Sequence, residues 1–460
     1  MDMRLDQLIL KNYRCFEETS IDFHPQLTVL IAPNGAGKTT ILDGIAVAFG
    51  PYVGAFDESV GRHFEPSDIR LTRVRQTATN EMEYAPNGVS LKATGVIPGG
   101  LWDSLGMAGS DVWSRNLAGP TKAKTTIKDA KELIKYGKRQ QEAVRTPGAE
   151  TTLPLLAYYG TGRLWQQKKL TMGKLPRTSR TIGYTDCLDA DSSYKAFAAW
   201  FSYWSTNALK GQLEASKAGR HYEPTEFDHF LESVGGAVNA CLAPAGWKDI
   251  AYSFSRQELV AHHDRDGELP VALLSDGVRN MIGMVADIAF RATKLNPQFG
   301  ALAAKQTPGV VLIDEVDMHL HPGWQQVVLQ DLTAAFPKLQ FIVTTHSPQV
   351  LSTVRRENIR IIGPDTSGKI IATPPLAMTY GEPSGDVLHS VMMINPQPPV
   401  QEKADLQRLT ALVDQGEYES SQAVQLRQAL RAALGEQHSQ LQRLERSIGR
   451  QKMLRRMSNS

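Results

Sequence analysis

Residues 27–40, LTVLIAPNGAGKTT, constrain the fold of this chain more than any other stretch. Leu27, Val29, Leu30 and Ile31 form a short apolar run that reads as a buried strand. The run breaks into Pro33-Asn34-Gly35-Ala36-Gly37, and a helix-forming stretch follows from Thr39 to Phe49. Strand, glycine loop and helix in that order are the context a P-loop requires. Glycines let successive backbone N–H groups converge on one anion, and the helix N-terminus adds partial positive charge there. Asn34, Gly35, Ala36, Gly37, Lys38, Thr39 and Thr40 are therefore candidate ATP-binding residues. Lys38 would reach the β- and γ-phosphates, and the Thr39 hydroxyl would ligate Mg²⁺. Ala32 stands where the first glycine of G-x-x-x-x-G-K-[ST] is usual, at the end of the strand, where alanine still permits the turn.

A second buried strand opens at Pro308-Gly309, runs through Val310-Val311-Leu312-Ile313, and ends in Asp314-Glu315. This is the Walker B pattern: Asp314 would hold the Mg²⁺ shell, and Glu315 would orient or deprotonate the attacking water. Two adjacent carboxylates at a buried strand end are costly unless a cation binds there. Pro322 should start a helix that runs to Phe336, with Pro337 stopping it. A third strand, 341–345, delivers His346. Strand, helix and strand should form a right-handed parallel crossover. Asp314 and His346 would then lie at the carboxyl ends of neighbouring strands, the edge where open α/β sheets bind ligands. Residues 274–279, LSDGVR, precede an apolar helix carrying Met281, Ile282, Met284, Val285 and Ile288. Ser275 heads that helix, so its hydroxyl and the helix N-terminus offer a second anion site. One P-loop subunit has no need of two phosphate sites, which implies a head-to-tail dimer with ATP at the seam. His319 and His321 follow the acids too closely to suggest a metal site and read as a turn.

Lys and Arg number 50 against 48 Asp and Glu, a net charge of +2, so any nucleic-acid contact must come from local patches. Cys15, Cys187 and Cys241 are isolated, which argues against a thiolate zinc site or a disulfide framework and fits a reducing cytosol. No apolar run approaches the roughly 20 residues that span a bilayer. Residues 1–6 lack the apolar core of a signal peptide. The expectation is a cytoplasmic protein without a membrane partner.

Around these motifs, residues 4–31 read as a strand meander (5–10, 19–23, 27–31) with a turn at 11–14, and Gly50-Pro51 should end the P-loop helix. Short strands are expected at 89–91 and 95–97. The charged run 121–145, with Lys122, Lys124, Lys128, Lys131, Lys135, Lys138 and Arg139, is either a solvated helix face or a basic nucleic-acid strip. Residues 153–159 form a buried strand that ends in Gly160-Thr161-Gly162-Arg163, and a polar stretch fills 166–186. Residues 194–241 are helical and aromatic, through Phe197, Trp200, Phe201, Tyr203, Trp204, Phe227 and Phe230, which favours a packed lobe over base stacking. Strands at 250–254, 258–261 and 269–273 follow, with His262 and His263 in a polar hairpin.

The LSDGVR phrase resembles the signature motif of ABC-type ATPases, with Asp276 where glycine is commonest and Val278 where glutamine often stands. Together with residues 34–40, Asp314-Glu315, Asp317 of the following D-loop and His346 as switch histidine, it makes the chain resemble the ABC/SMC/RecF superclass. The resemblance covers residues 1–75 and 150–375. It implies an α/β ABC-type head with a mixed central sheet, an antiparallel β subdomain and a helical lobe, over residues 1–380, with the insertion and lobe at roughly 76–270. It also implies ATP hydrolysis with Mg²⁺. Ser275 and Gly277 would contact the γ-phosphate of a nucleotide held by the opposite subunit, with Arg279 nearby.

The opening phrase LILKNYRCF (8–16) resembles RecF and SMC heads rather than transporter ATPases. LLAYYGTGRLW (155–165), TPGVVLIDEVDMHLHPGWQ (307–325) and FIVTTHSPQVL (341–351) resemble the PtuA family, ATPase subunits of Septu-type and retron-linked anti-phage defence systems. That resemblance implies a sensor ATPase that forms dimers and higher oligomers and regulates a partner HNH nuclease, PtuB. The alternative is a RecF/SMC-like DNA-repair ATPase that acts on DNA without a dedicated nuclease. Past Gly381 there is no D-x-D of the kind a metal-dependent Toprim nuclease needs. Residues 381–460 read instead as a helical assembly and docking module. Its stripes are Leu406, Leu409, Leu412, Val413; Leu426, Leu430, Leu434; and Leu441, Leu444, Ile448. These stripes are expected to be buried by another chain or by the ATPase lobe. The last two helices are basic through Arg427, Arg431, Arg443, Arg446, Arg450, Lys452, Arg455 and Arg456.

Overall fold

A computed structural model describes residues 2–73, 82–98, 100, 109–121, 123–162, 179–190 and 194–458. Lys122, Arg163, residues 164–165 that end the LLAYYGTGRLW phrase, most of the polar 166–186 stretch and the Arg456 side chain lie outside the described residues. The chain forms two compact units, Met1–Val387 and Leu388–Ser460.

The first unit opens with strands β1 (Arg4–Tyr13), β2 (Phe16–Asp22) and β3 (Leu27–Ile31), then helix α1 (Lys38–Val53). Strands β4 (Leu71–Arg73), β5 (Met82–Tyr84), β6 (Val89–Val96) and β7 (Asp111–Leu117) follow, then α2 (Lys131–Arg145) and β8 (Leu155–Tyr159). The helical lobe contributes α3 (Tyr194–Lys217) and α4 (Glu226–Leu242). After β9 (Trp247–Ser253), β10 (Glu258–His263) and β11 (Gly267–Pro270) come α5 (Asp276–Leu295), β12 (Gly309–Ile313), α6 (Val328–Ala335), β13 (Leu339–Thr344), β14 (Ile359–Pro364) and β15 (Ile370–Thr373).

The central sheet has the order β15-β14-β3-β13-β12-β8. All its pairings are parallel except the antiparallel edge pair β14–β15. Strands β8, β12 and β13 are buried along their whole length, because a parallel sheet covered on both faces selects continuous apolar runs rather than alternation. A second, antiparallel sheet has the order β2-β1-β6-β7, and β9, β10 and β11 form a separate meander. The aromatic run of the lobe packs inward: Trp204 sits 5.2 Å from Phe230 and 5.7 Å from Phe290, centroid to centroid.

Several local expectations are corrected. Helix α1 does not end at Gly50-Pro51 but runs through Pro51 to Val53. A helical proline orphans the carbonyl four residues back. Here Arg115 Nη1 donates to that carbonyl, Val47 O, at 2.8 Å. The turn expected at 11–14 belongs largely to β1, which pairs as far as Tyr13. The two strands expected at 89–97 are one, and the strand expected at 269–273 gives way to a 3₁₀ turn after Pro270. The helix expected from Pro322 to Phe336 is two, Pro322–Gln325 and α6. In α2 the buried positions include Leu133 and Tyr136, while Lys131, Lys135, Lys138 and Arg139 face solvent.

The second unit contains α7 (Lys403–Asp414), α8 (Ser421–Leu434) and α9 (Ser439–Ser458). Leu406, Leu409, Val413, Tyr418, Ala423, Leu430, Leu441, Leu444 and Ile448 form its core, with Leu412, Leu426 and Leu434 packed against it. The three stripes are thus buried by one another, which corrects the expectation that a second chain or the ATPase lobe must cover them. Among the described residues no helix is long and apolar enough to cross a membrane.

Candidate nucleotide-binding site

The P-loop leaves β3 at its carboxyl end. Gly35 and Gly37 adopt left-handed backbone conformations, φ +77° and +97°. A Cβ on Gly37 would also fall 2.5 Å from Phe16 Cζ and 2.6 Å from Cys15 Sγ, so only glycine fits. The Ala36 N–H donates to Pro33 O at 3.3 Å and tightens the turn. Gly37 caps α1 without a side chain, leaving the first-turn N–H groups directed into the loop beside exposed Asn34 and Gly35. Lys38, only 8% exposed, folds back over the loop, and its Nζ donates to Ala32 O at 2.9 Å. Desolvation lowers the pKa of this ammonium, while Asp314, Glu315 and Asp317 pull it back up. Thr40 is buried.

The acids arrive from β12, two strands away across β13. Asp314 is 2% exposed, and its Oδ2 accepts from Thr39 Oγ1 at 2.6 Å, a contact bridging 275 residues of sequence. Its Oδ1 accepts from Thr344 Oγ1 at 2.5 Å, and its N–H donates to Tyr159 O at 2.8 Å. Glu315 has φ +48°, and its N–H donates to Thr344 Oγ1 at 2.7 Å. Asp317 Oδ1 accepts from Thr345 Oγ1 at 2.5 Å. His346 follows, half-buried, past the end of β13. His321 belongs to the turn: its Nδ1 accepts from Gly323 N at 3.2 Å and caps a short helix.

The LSDGVR segment forms the start of α5. Ser275 is exposed at the N-cap of α5 and makes no side-chain capping bond. Arg279 turns back to its own helix start, pairing with Asp276 and donating to Ala272 O at 3.2 Å. Gly277 is buried against the D-loop turn, where a Cβ would lie 2.3 Å from His319 O.

Residues not singled out from sequence complete the site. Thr344 and Thr345 hold Asp314 and Asp317. Beneath α1, Asp43 receives Arg14 Nη1 at 2.6 Å and Arg62 Nη2 at 2.7 Å, and Arg14 Nε also pairs with Asp68 at 2.8 Å. Two adjacent threonines at the end of an apolar strand, and an aspartate inside an otherwise apolar helix, were the available signals.

The donor set fits a magnesium nucleotide. A left-handed glycine turn at a helix start and a buried ammonium suit phosphates, and Thr39 with Asp314 supplies a hydroxyl and a carboxylate side by side. Mg²⁺ is usually held by one or two protein oxygens plus phosphates and waters rather than a protein cage. Among the described residues no group of three or more His, Cys, Asp or Glu that could hold a metal occurs.

A mixed sheet with a P-loop on one strand and paired acids on a near neighbour, an antiparallel sheet beside it and a helical lobe define an ATPase head of the ABC/SMC/RecF type. Residues 7–212 match a family described as "AAA domain", and residues 245–352 one described as "AAA domain, putative AbiEii toxin, Type IV TA system". The retron Ec83 probable ATPase of Escherichia coli is 35% identical over 500 residues, covering 97% of this chain and 86% of that protein. The retron Vc95 probable ATPase of Vibrio cholerae serotype O1 biovar El Tor is 25% identical, covering 90% and 84%. The Septu protein PtuA of Bacillus mycoides (strain KBAB4) is 44% identical over 75 residues, 16% of this chain and 10% of that protein. The chain belongs to the retron ATPase family and is close to PtuA.

Proposed function

We propose that this chain is the ATP-binding and hydrolysing sensor subunit of an anti-phage defence complex, and that it regulates a separate HNH-type nuclease. The observation that carries the reading is the convergence of Thr39 and Thr344 on Asp314 beside Lys38, in a chain that aligns along nearly its whole length with a retron ATPase. In this reading Lys38 and the 34–40 backbone bind the phosphates, Thr39 and Asp314 hold Mg²⁺, and Glu315, with His346, orients and deprotonates the attacking water. Bound Mg²⁺ would neutralise charge developing on the phosphates. Exposed Ser275 would contact the nucleotide of a second copy and close a head-to-tail dimer; Gly277, packed on its own D-loop, would have to reach it through its backbone, and Arg279 would join by releasing Asp276. ATP at normal levels restrains the nuclease, because a resident nuclease must be held inactive.

Glu315→Gln should keep ATP binding, slow hydrolysis on the order of 10²–10⁴-fold, and accumulate an ATP-bound dimer. Sedimentation velocity with and without ATP reads the dimer, and a variant that hydrolyses at the parental rate overturns the role of Glu315. Residues 381–460 are the docking module in this proposal. Because the second unit closes its own core, docking must use its outer surface. Exposed Arg443, Arg446 and Arg450 on α9 favour an acidic face. Truncation after residue 398 should leave ATP affinity unchanged and release the nuclease or the higher oligomer. A truncated chain that still carries both rules the module out. A neighbouring gene for an HNH nuclease is expected. Its absence, with tight DNA binding by the purified chain, would favour a repair ATPase.

A further inference from the structure

Four bonds from one strand end clamp residues 314–317. Thr344 Oγ1 donates to Asp314 Oδ1 at 2.5 Å and accepts from Glu315 N at 2.7 Å. Thr344 O accepts from Val316 N at 3.0 Å, and Thr345 Oγ1 donates to Asp317 Oδ1 at 2.5 Å. Both threonines are fully buried. A hydroxyl has one proton, so each of these hydroxyls has its orientation fixed by a donor on one side and an acceptor on the other. For Thr345 the donor is Ser347 N at 2.9 Å.

We infer that Thr344 and Thr345 are positioning residues with separate tasks: Thr344 aims the metal-binding carboxylate and the water-orienting Glu315, and Thr345 sets the D-loop. This deepens the magnesium–ATP reading above and rests on it. Asp314 carries Thr39 on Oδ2 and Thr344 on Oδ1, so its plane is fixed from both sides and Oδ2 is turned towards the P-loop. Glu315 occupies a left-handed conformation, uncommon for a residue with a side chain, and its N–H is tied to the same hydroxyl. Removing that hydroxyl takes one hydrogen bond from each of the two acids at once, and leaves Asp314 with the Thr39 bond on its P-loop side. Thr345 acts one residue on, just past the end of β13, and its hydroxyl reaches Asp317 rather than Asp314. Its carboxylate partner, Asp317, is held on its backbone side by Gln325, whose Nε2 donates to Asp317 O at 3.4 Å and Leu320 O at 2.9 Å. The turn so braced carries the His319 carbonyl against which Gly277 packs. Thr345 therefore governs the position of the segment that leads to the proposed subunit seam, and not the metal.

The test is a Mg²⁺ titration of mant-ATP binding to the full chain, with Thr344→Val and Thr344→Ala as hydroxyl-free variants and Thr344→Ser as the conservative one. Thr344→Val should raise the half-saturating Mg²⁺ concentration about 10-fold or more, as loss of a group orienting a metal ligand does. Binding of mant-ATP in EDTA should stay within about twofold, and Thr344→Ser should restore the Mg²⁺ response. Thr344→Ala runs the same titration should Thr344→Val misfold. Thr345→Val should leave that titration unchanged and, in a Glu315→Gln background, weaken ATP-dependent dimerisation on the order of 10-fold. An unchanged Mg²⁺ response in both hydroxyl-free variants, or equal impairment by serine and valine, overturns the role of Thr344. A Thr345→Val variant that shifts the Mg²⁺ response overturns the division of tasks. Asp314→Asn is titrated in parallel: if it too leaves the Mg²⁺ response unchanged, the metal assignment itself falls. If it shifts the response while Thr344→Val does not, only this inference falls.

Discussion

Lys38→Ala is expected to abolish ATP binding at working concentrations, weakening it on the order of 10²–10³-fold. Lys38 is buried, and its ammonium is already held over the loop by Ala32 O at 2.9 Å. Three carboxylates, Asp314, Glu315 and Asp317, act on it electrostatically. Without the ammonium those acids would meet the triphosphate with only the magnesium to offset the repulsion. Truncating one partner of a buried charge pair costs about 2–5 kcal/mol, and 1.4 kcal/mol is a factor of ten in affinity. Lys38→Arg is not a rescue, since a planar fork does not replace a compact point charge in a loop of this size. Desolvation works against the buried ammonium, so its removal should not lower the unfolding temperature. Calorimetric titration with Mg–ATP and a thermal melt separate the two effects. Parental affinity in Lys38→Ala would sink the nucleotide reading.

How much of this was legible in the sequence depended on how local the cause was. The runs LTVLI and VVLI announced themselves because parallel strands buried on both faces leave no polar alternation. The glycines of the loop did so because their backbone conformations are set within a few residues. Helix α1 continues through Pro51, against the local rule, for the opposite reason. The carbonyl that proline orphans is satisfied by Arg115, 68 residues away, and no local rule sees that donor. Thr344 and Thr345 read as ordinary strand residues, since their carboxylates lie 30 and 28 positions earlier. The clamp of Arg14 and Arg62 on Asp43 is hidden in the same way. In the C-terminal helices, periodicity identified the buried faces but not what buries them. The three stripes meeting one another is a tertiary outcome that a helical repeat does not encode.

The largest stability effect should come from Arg291→Met. Arg291 and Asp287 sit one turn apart on α5, the helix headed by Ser275, and are 5% and 2% exposed. Arg291 Nε donates to Asp287 Oδ2 at 2.7 Å, and its Nη1 donates to Gly183 O at 2.8 Å and Thr185 O at 3.0 Å. Tyr159, from the edge strand β8, donates its hydroxyl to the same carboxylate oxygen at 2.7 Å. The pair therefore fastens α5 to the sheet and to residues 183–185. Removing only the guanidinium leaves a carboxylate buried with Tyr159 and orphans two carbonyls, which should cost about 3–5 kcal/mol. An apolar replacement of both partners, Asp287→Leu with Arg291→Met, should recover most of that loss, because the desolvation of both charges disappears together. Tryptophan fluorescence during urea unfolding is a suitable probe, since Trp200 and Trp204 pack 6.2 and 5.7 Å from Phe290 on the same helix. A single variant that loses less than about 1 kcal/mol, or a double variant no better than the single, would show that hydrophobic packing rather than this ion pair holds α5 in place.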